Sequence, residues 1–551
     1  MSRFRLLLFS FIFVAFPAHS LFAQAAPAEG SSARFTLNAR TVVEDVVVMD
    51  KSGHAVPGLR KEDFQVFENG KRQAITFFEP HFAATDAAVS PAALPPDTYT
   101  NIAAAPPNNV TNVLLLDALD MGSTDRMYAQ TEMVKYLASL PPHLRIGVFA
   151  LTDQKIHLIW GFDQDSSALK ATVEEMKHPA KDEQGRRLGE SANALRSFLK
   201  NGTGIFLKNG LLDQNDQLLT TLNSLQALAH YLAGIPGRKN LFWLVGAFPA
   251  CPLNTCPYVD FYRETKDLLA EAGVSIYPVD VAWGAAGASI ASSPILDKTE
   301  AKTALGTAFI NTETWAEETG GKAYHANDIP QEIANGVAHG SRYYTLAYVP
   351  SNHKEEGRER TVEVKVLSGK YTIFYRKRYF EQTQKEIATA SAAPAKDPLL
   401  PLMGRGMPNI GEIPYSLKVV PSATQPEAGT PLAGQNAQLT GKLTRYTVGF
   451  QLKASSLSLV PDAGGMRRKP LGVALMVFSQ DGKPLNWVRC DIDLLVKPEQ
   501  WASASTEGIP FHLDIDAPRG DVYLRTGVYD ASTGKVGTLE VPLSAVRLAQ
   551  K

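Results

Sequence analysis

Asn112–Asp120, NVLLLDALD, is the stretch whose reading decides the fold. Its apolar run Val113–Leu116 predicts a strand buried on both faces, with Asp117 and Asp120 at its carboxyl end. In an open α/β sheet, ligands gather outside the carboxyl ends of the strands, and carboxylates there are candidate ligands for a hard cation. Outward from this strand, apolar periodicity alternates between helix and strand. Helices are expected over Asp125–Leu140, Ser166–Met176, Leu218–Leu232 and Phe261–Ala272. Strands are expected over Arg145–Leu151, Ile156–Trp160, Asn240–Val245 and Val274–Val279. Gly234-Ile235-Pro236-Gly237 stops the third helix and Gly273 the fourth. This order predicts an α/β unit over 110–380, with a mostly parallel sheet and helices on both faces.

The flanks read differently. Residues 26–80 carry β-branched alternation in Arg40–Met49 and a hairpin around Asn69-Gly70, which predicts a small β unit. Residues 81–109 are rich in Ala and Pro and read as a linker, as do 381–411. Short strand-like runs over 412–551, separated by Gly, Asp, Pro and Ser, fit a β-sandwich. Thr361–Leu367 and Tyr371–Tyr375 look like a hairpin closing the α/β unit around Ser368-Gly369. Lys181–Asn215 reads as a polar insertion or long loop.

The chain has 551 residues, 44% hydrophobic and 20% charged, with a formal net charge of -1. That length predicts several domains, and a balance so near neutral gives no reason to expect nucleic acid as a partner. Arg3 and Arg5 precede the apolar run Leu6–Phe16, and Ala23-Gln24-Ala25 offers a cleavage site. Residues 1–25 thus have the layout of a secretory signal peptide, and the mature protein is expected to be exported, to the periplasm or beyond, with no membrane span after signal removal. In an oxidising compartment Cys251 and Cys256 are expected to pair as a disulfide, a zinc site being the sharper alternative. Cys490 is expected to be a buried small hydrophobe.

Asp117, the segment Ala233–Asn240, the strand Leu241–Val245 and the strand end Tyr277-Pro278-Val279-Asp280 together resemble a von Willebrand factor A (VWA) domain. More specifically, they resemble the VWA-related family abundant in Acidobacteria. Pro57-Gly58-Leu59, Asp63-Phe64, Phe67–Gly70, Glu317–Gly321 and Tyr343–Tyr348 are similar to further motifs of that family. The resemblance covers most of 35–380 and implies an exported protein with a Rossmann-like VWA fold. It also implies a metal-ion-dependent adhesion site, and here this sequence departs from the pattern. The D-x-S-x-S element falls on Asp117, Leu119 and Met121, without either serine. Asp120 lies on the same loop but out of register. Thr220 or, preferably, Thr221 takes the place of the threonine element. The last carboxylate is missing, because the strand runs into Gly246, Ala247 and Phe248. Asp117, Asp120 and Thr221 are therefore expected to form a weak or vestigial site for Mg²⁺ or another divalent cation. The alternative is a structural role, with Asp117 accepting backbone N–H bonds.

No H-E-x-x-H, G-x-S-x-G or P-loop signature occurs, so the protein is expected not to be an enzyme. A hydrolase using Asp117 and Asp280 in one crevice is a lesser alternative. The expected work is binding of a protein or cell-surface ligand at the carboxyl edge of the sheet. A cell-envelope scaffold role, in which the β domains make the contacts, is the main rival.

Overall fold

The computed structural model describes residues 41–82, 94–102, 110–141, 144–152, 156–162, 166–177, 214–246, 257–281, 312–324, 328–352, 359–380, 399–426 and 432–546. Residues 1–25, the pair Cys251 and Cys256, and all of Lys181–Asn215 except its last two residues lie outside them.

The central unit runs β1 (Thr111–Asp117), α1 (Ser123–Ala138), β2 (Ile146–Leu151), β3 (Ile156–Trp160), α2 (Ser166–Lys177), α3 (Gln214–Ala233), β4 (Lys239–Val245), α4 (Val259–Glu271), β5 (Val274–Asp280) and α5 (Ile329–Gly340). Its five-stranded mixed sheet has the order β5-β4-β1-β2-β3. β5, β4, β1 and β2 are parallel, and β3 closes one edge antiparallel. Every residue of the four parallel strands is buried, as a sheet covered on both faces requires. Alternate side chains divide between two cores. Val113, Leu115, Leu241, Trp243 and Ile276 face α3 and α4. Leu114, Leu116, Phe242, Leu244 and Val279 face α1, α2 and α5. α4 ends where Gly273 takes φ +68°, a left-handed conformation that releases the chain straight into β5.

The flanking strands pair across long sequence distances. Val42–Met49 lies between Tyr343–Tyr348 and Thr372–Phe374, with Ile75–His81 beyond, in one four-stranded sheet. Phe64–Glu68 pairs with Glu359–Val366 in a second, beside Lys71–Gln73 and Arg378–Phe380. Val46, Val66, Tyr344, Leu346, Val362 and Val364 share the core between them. The strands read as an N-terminal β unit and those read as the end of the α/β unit thus pair with each other. The hairpin expected over 361–375 does not form, since its two arms lie in different sheets. Its alternation was real, but alternation reports a half-buried strand and is silent about the partner. The Asn69-Gly70 turn does join two paired strands, both residues at positive φ (49° and 77°).

On the C-terminal side, two four-stranded antiparallel sheets enclose a core of Leu417, Val448, Phe450, Val473, Leu475, Leu524 and Val528. One takes its edge strand, Thr98–Thr100, from the stretch read as a linker. The other expected linker contributes Leu399, Leu402, Met403, Met407 and Ile410, which pack into the core under α3 and α4. Arg525, wholly buried, holds this strap to the sheet. Its guanidinium donates to the carbonyls of Leu402, Met407 and Pro408 and to Thr538 Oγ1. Among the described residues, no helix is long and apolar enough to cross a membrane. Cys490 is half-buried on an edge strand, and burial raises its thiol pKa.

Candidate functional site at the carboxyl rim of the sheet

β1 delivers Asp117 to the carboxyl rim with no solvent exposure. Its Oδ1 accepts the backbone N–H groups of Leu119 and Asp120, both at 3.2 Å. This turn bends the chain back and brings the Asp120 side chain beside that of Asp117. Asp117 Oδ2 accepts the indole N–H of Trp243, on the neighbouring β4, at 3.0 Å. Asp120 is 7% exposed, and its Oδ2 accepts the hydroxyl of Thr221 at 3.1 Å. Thr221 stands on α3, so three elements converge here: the end of β1, the loop after it, and α3. Gly246, just past β4, is what lets the loop close. A Cβ at this position would lie 2.5 Å from the carbonyl oxygen of Asp120.

Of the expected site residues, Asp117, Asp120 and Thr221 are brought together. Asp120, out of register with the family motif, is the one that bridges the other two. Thr220 is not part of the contact; Thr221 is. Asp280 ends β5 level with Val245 of β4, and one strand separates it from Asp117, a backbone spacing of roughly 10 Å. Asp280 lies near enough to Asp125 of α1 that its charge, after burial, raises the Asp125 pKa. Trp243 went unnoticed in the sequence because an aromatic in a buried strand has no local mark of a polar partner.

Burial dominates the electrostatics. It raises both Asp117 and Asp120; the charge of Asp117 and a side-chain hydrogen bond between the two carboxyls raise Asp120 further, and the Thr221 hydroxyl pulls it back. Two buried carboxyls side by side favour holding one positive charge between them, a proton or a cation. The donor set sets limits on the cation. Both oxygens of Asp117 already accept N–H bonds. Asp120 Oδ1 is buried and accepts from no N–H or hydroxyl, and the Asp120 carboxyl lies against that of Asp117. That oxygen and the lone pairs of Thr221 Oγ1 are the free oxygen ligands, with Asp117 supplying charge beside them. Such a set fits a hard cation loosely and leaves most positions to water. Among the described residues, no group of three or more His, Cys, Asp or Glu side chains is arranged to hold a metal.

No family model and no curated relative matches the chain. Among solved structures it is similar to a von Willebrand factor type A protein from Catenulispora acidiphila, at 11% identity and a TM-score of 0.22, over 52% of this chain and 71% of that one. It is similar to the ArnB paralog VWA2 from Sulfolobus acidocaldarius, at 8% identity and a TM-score of 0.22, over 92% and 75%. It is also similar to the human COPII-coat protein Sec24c, at 10% identity and a TM-score of 0.22, over 52% of this chain and 47% of that one.

Proposed function

We propose that this chain is an exported, non-enzymatic binding protein whose α/β core works as a VWA-type domain with a degenerate adhesion site. Its ligand is a protein or cell-surface group that docks on the carboxyl rim of the sheet, and its place is the periplasm or the cell exterior after removal of residues 1–25. The observation that carries this reading is the position of Asp120. It is a buried carboxyl with one oxygen that accepts from no N–H or hydroxyl, held between Asp117 and the Thr221 hydroxyl at the end of the sheet where ligands of open α/β folds sit. When a divalent cation is bound, it supplies a positive charge at which an acidic group of the ligand can complete the coordination. Asp120 and Thr221 would hold it directly, and Asp117 would balance its charge.

The test is calorimetric titration of the mature chain with Mn²⁺ and Mg²⁺, paired with capture of partners from envelope extract on the immobilised protein. Millimolar-range binding that disappears in Asp120→Asn, and capture that a chelator reverses, support the reading. Capture that survives both the chelator and Asp120→Asn assigns binding to the flanking β domains. The second reading, an envelope scaffold, draws on the strap 399–413, which ties the C-terminal sheets to α3. His230 pairs with Glu412 at 2.8 Å, and Gly234 lies against the backbone of Gly411.

A further inference from the structure

Among the described residues, strand Pro484–Val496 pairs on one side only, with Arg467–Ser479. The direction of its outer hydrogen-bonding groups follows from two observations. The N–H of Gln435 approaches from outside to donate to Trp487 O at 2.8 Å, and its side-chain amide reaches Arg489 O. Asp493 lies opposite Pro470, which has no N–H, so that pair cannot exchange both ladder bonds. The odd-numbered residues therefore turn their backbone groups outward. Gln435 covers the first two. The N–H and C=O groups of Asp491, Asp493 and Leu495 have no partner among the described residues.

The same residues share the outer face of the sheet, since Leu494 and Val496 fill the core on the other side. Asp491 and Asp493 are exposed there. Asp491, its side chain 87% exposed, makes only a 3.3 Å contact with Arg489. Next to them, where Gln435 blocks the edge, a cavity of about 220 Å³ opens on the outer face, lined by Leu400, Ala474, Met476, Trp487, Val488 and Arg489.

We infer that this edge takes up an extended segment of a partner protein as an added antiparallel strand. Its outer-face residues run, from the N-terminus, apolar, lysine or arginine, lysine or arginine, long apolar, at alternate positions. The first lies beside Leu495. The two cations face Asp493 and Asp491. The last side chain turns over Arg489 into the cavity. Backbone pairing supplies affinity and the alternate side chains supply selectivity. A second copy of this chain is the wrong occupant. Antiparallel pairing of two such edges would set Asp491 and Asp493 against their own counterparts, and like charges opposite each other are destabilising. This inference is independent of the cation site.

The experiment uses the whole mature chain and a fluorescent seven-residue probe of alternating valine with leucine, lysine, lysine and leucine at the outer-face positions. A control probe carries glutamates for lysines. Expected results are binding of the lysine probe, slowed amide exchange at Asp491, Asp493 and Leu495, and indifference to chelator. The variant Asp491→Lys/Asp493→Lys, exposed and outside the core, should reverse the preference to the glutamate probe. With two cross-strand charge pairs at stake, each swap should change affinity by roughly two- to thirtyfold. Equal binding of both probes, exchange unchanged along the edge, or slowed exchange that tracks dimerisation of the chain instead of probe would each overturn the inference.

Discussion

Thr221→Val tests the rim site most directly. Valine keeps the branched shape and removes the hydroxyl that donates to Asp120 Oδ2 at 3.1 Å. Thr221 is fully buried and Asp120 is 7% exposed, so water does not readily replace the bond. Because no N–H or hydroxyl donates to Asp120 Oδ1, the variant leaves this buried carboxyl with only the carboxyl of Asp117 as a hydrogen-bond partner. Leaving such a group unsatisfied costs about 1–3 kcal/mol. The extra apolar methyl returns part of it, which places the net loss nearer about 1–2 kcal/mol. For a unit of this size, that is a fall of roughly 2–8 °C in Tm. The deficit also grows with pH. Burial and the Asp117 charge hold the Asp120 pKa above its unfolded value, so its unfavourable contribution appears as pH rises through that range. Losing the Thr221 bond raises it further. The assay is chemical denaturation at pH 5 and pH 8, with and without Mn²⁺. If a cation binds, wild type at a hundredfold excess over Kd gains about 2.7 kcal/mol and the variant gains less. A variant that unfolds with wild-type stability at both pH values, and shows the same Mn²⁺ shift, refutes the geometry argued above.

Two further perturbations probe the frame around the site. Arg525→Leu strands the carbonyls of Leu402, Met407 and Pro408 that the guanidinium now serves, with an expected loss of about 3–5 kcal/mol and early proteolytic cutting within 399–411; an intact strap would refute its role. His339 is buried beside Tyr277, and burial lowers its pKa to about 3. Below the unfolded value near 6.5 the unfolded chain binds a proton that the folded one refuses. Stability therefore falls by about 1.4 kcal/mol per pH unit as pH drops from that value toward about 3. His339→Gln should flatten that slope in denaturant midpoints taken between pH 7 and 5, and an unchanged slope would place the titration elsewhere.

How much of this was legible beforehand differs by element. The four parallel strands announced themselves because burial on both faces favours unbroken apolar runs such as Val113–Leu116 and Leu241–Val245, with buried polar residues such as Asn112, Lys239 and Asn240 confined to the strand starts. The helices between them carried ordinary stop signals. The pairing of Val42–Met49 with Tyr343–Tyr348 was not legible. Period-two alternation records which face is buried, whereas the partner is chosen by three-dimensional proximity, here across some three hundred residues. Thr98–Thr100 escaped for a related reason. Its three residues, none of them fully buried, are too short a run to show a period. The strap 399–413 was hidden by its Gly and Pro content, which reads as linker although its Leu and Met side chains fill a core.

At the rim, the legible and the illegible parts have a common cause. Asp117 could be read because a strand end is a fixed place in this architecture. Asp120 is out of register with a serine position, but register in a loop is set by local hydrogen bonding and not by counting residues. Once Asp117 Oδ1 accepts the N–H groups of both Leu119 and Asp120, the turn places the Asp120 carboxyl, with no serine, within reach of Thr221. Asp117 is then consumed as an organiser, its other oxygen held by Trp243, and the free oxygen in the site belongs to Asp120. The physical consequence separates the two residues experimentally. Asp117→Asn should disturb the turn and cost stability whether or not a cation is present. Asp120→Asn, which removes a raised buried carboxyl from beside another, should leave the fold at least as stable above neutral pH while removing cation binding. Equal losses of stability in the two variants would mean that Asp120, too, is part of the scaffold and that no oxygen is left over for a ligand.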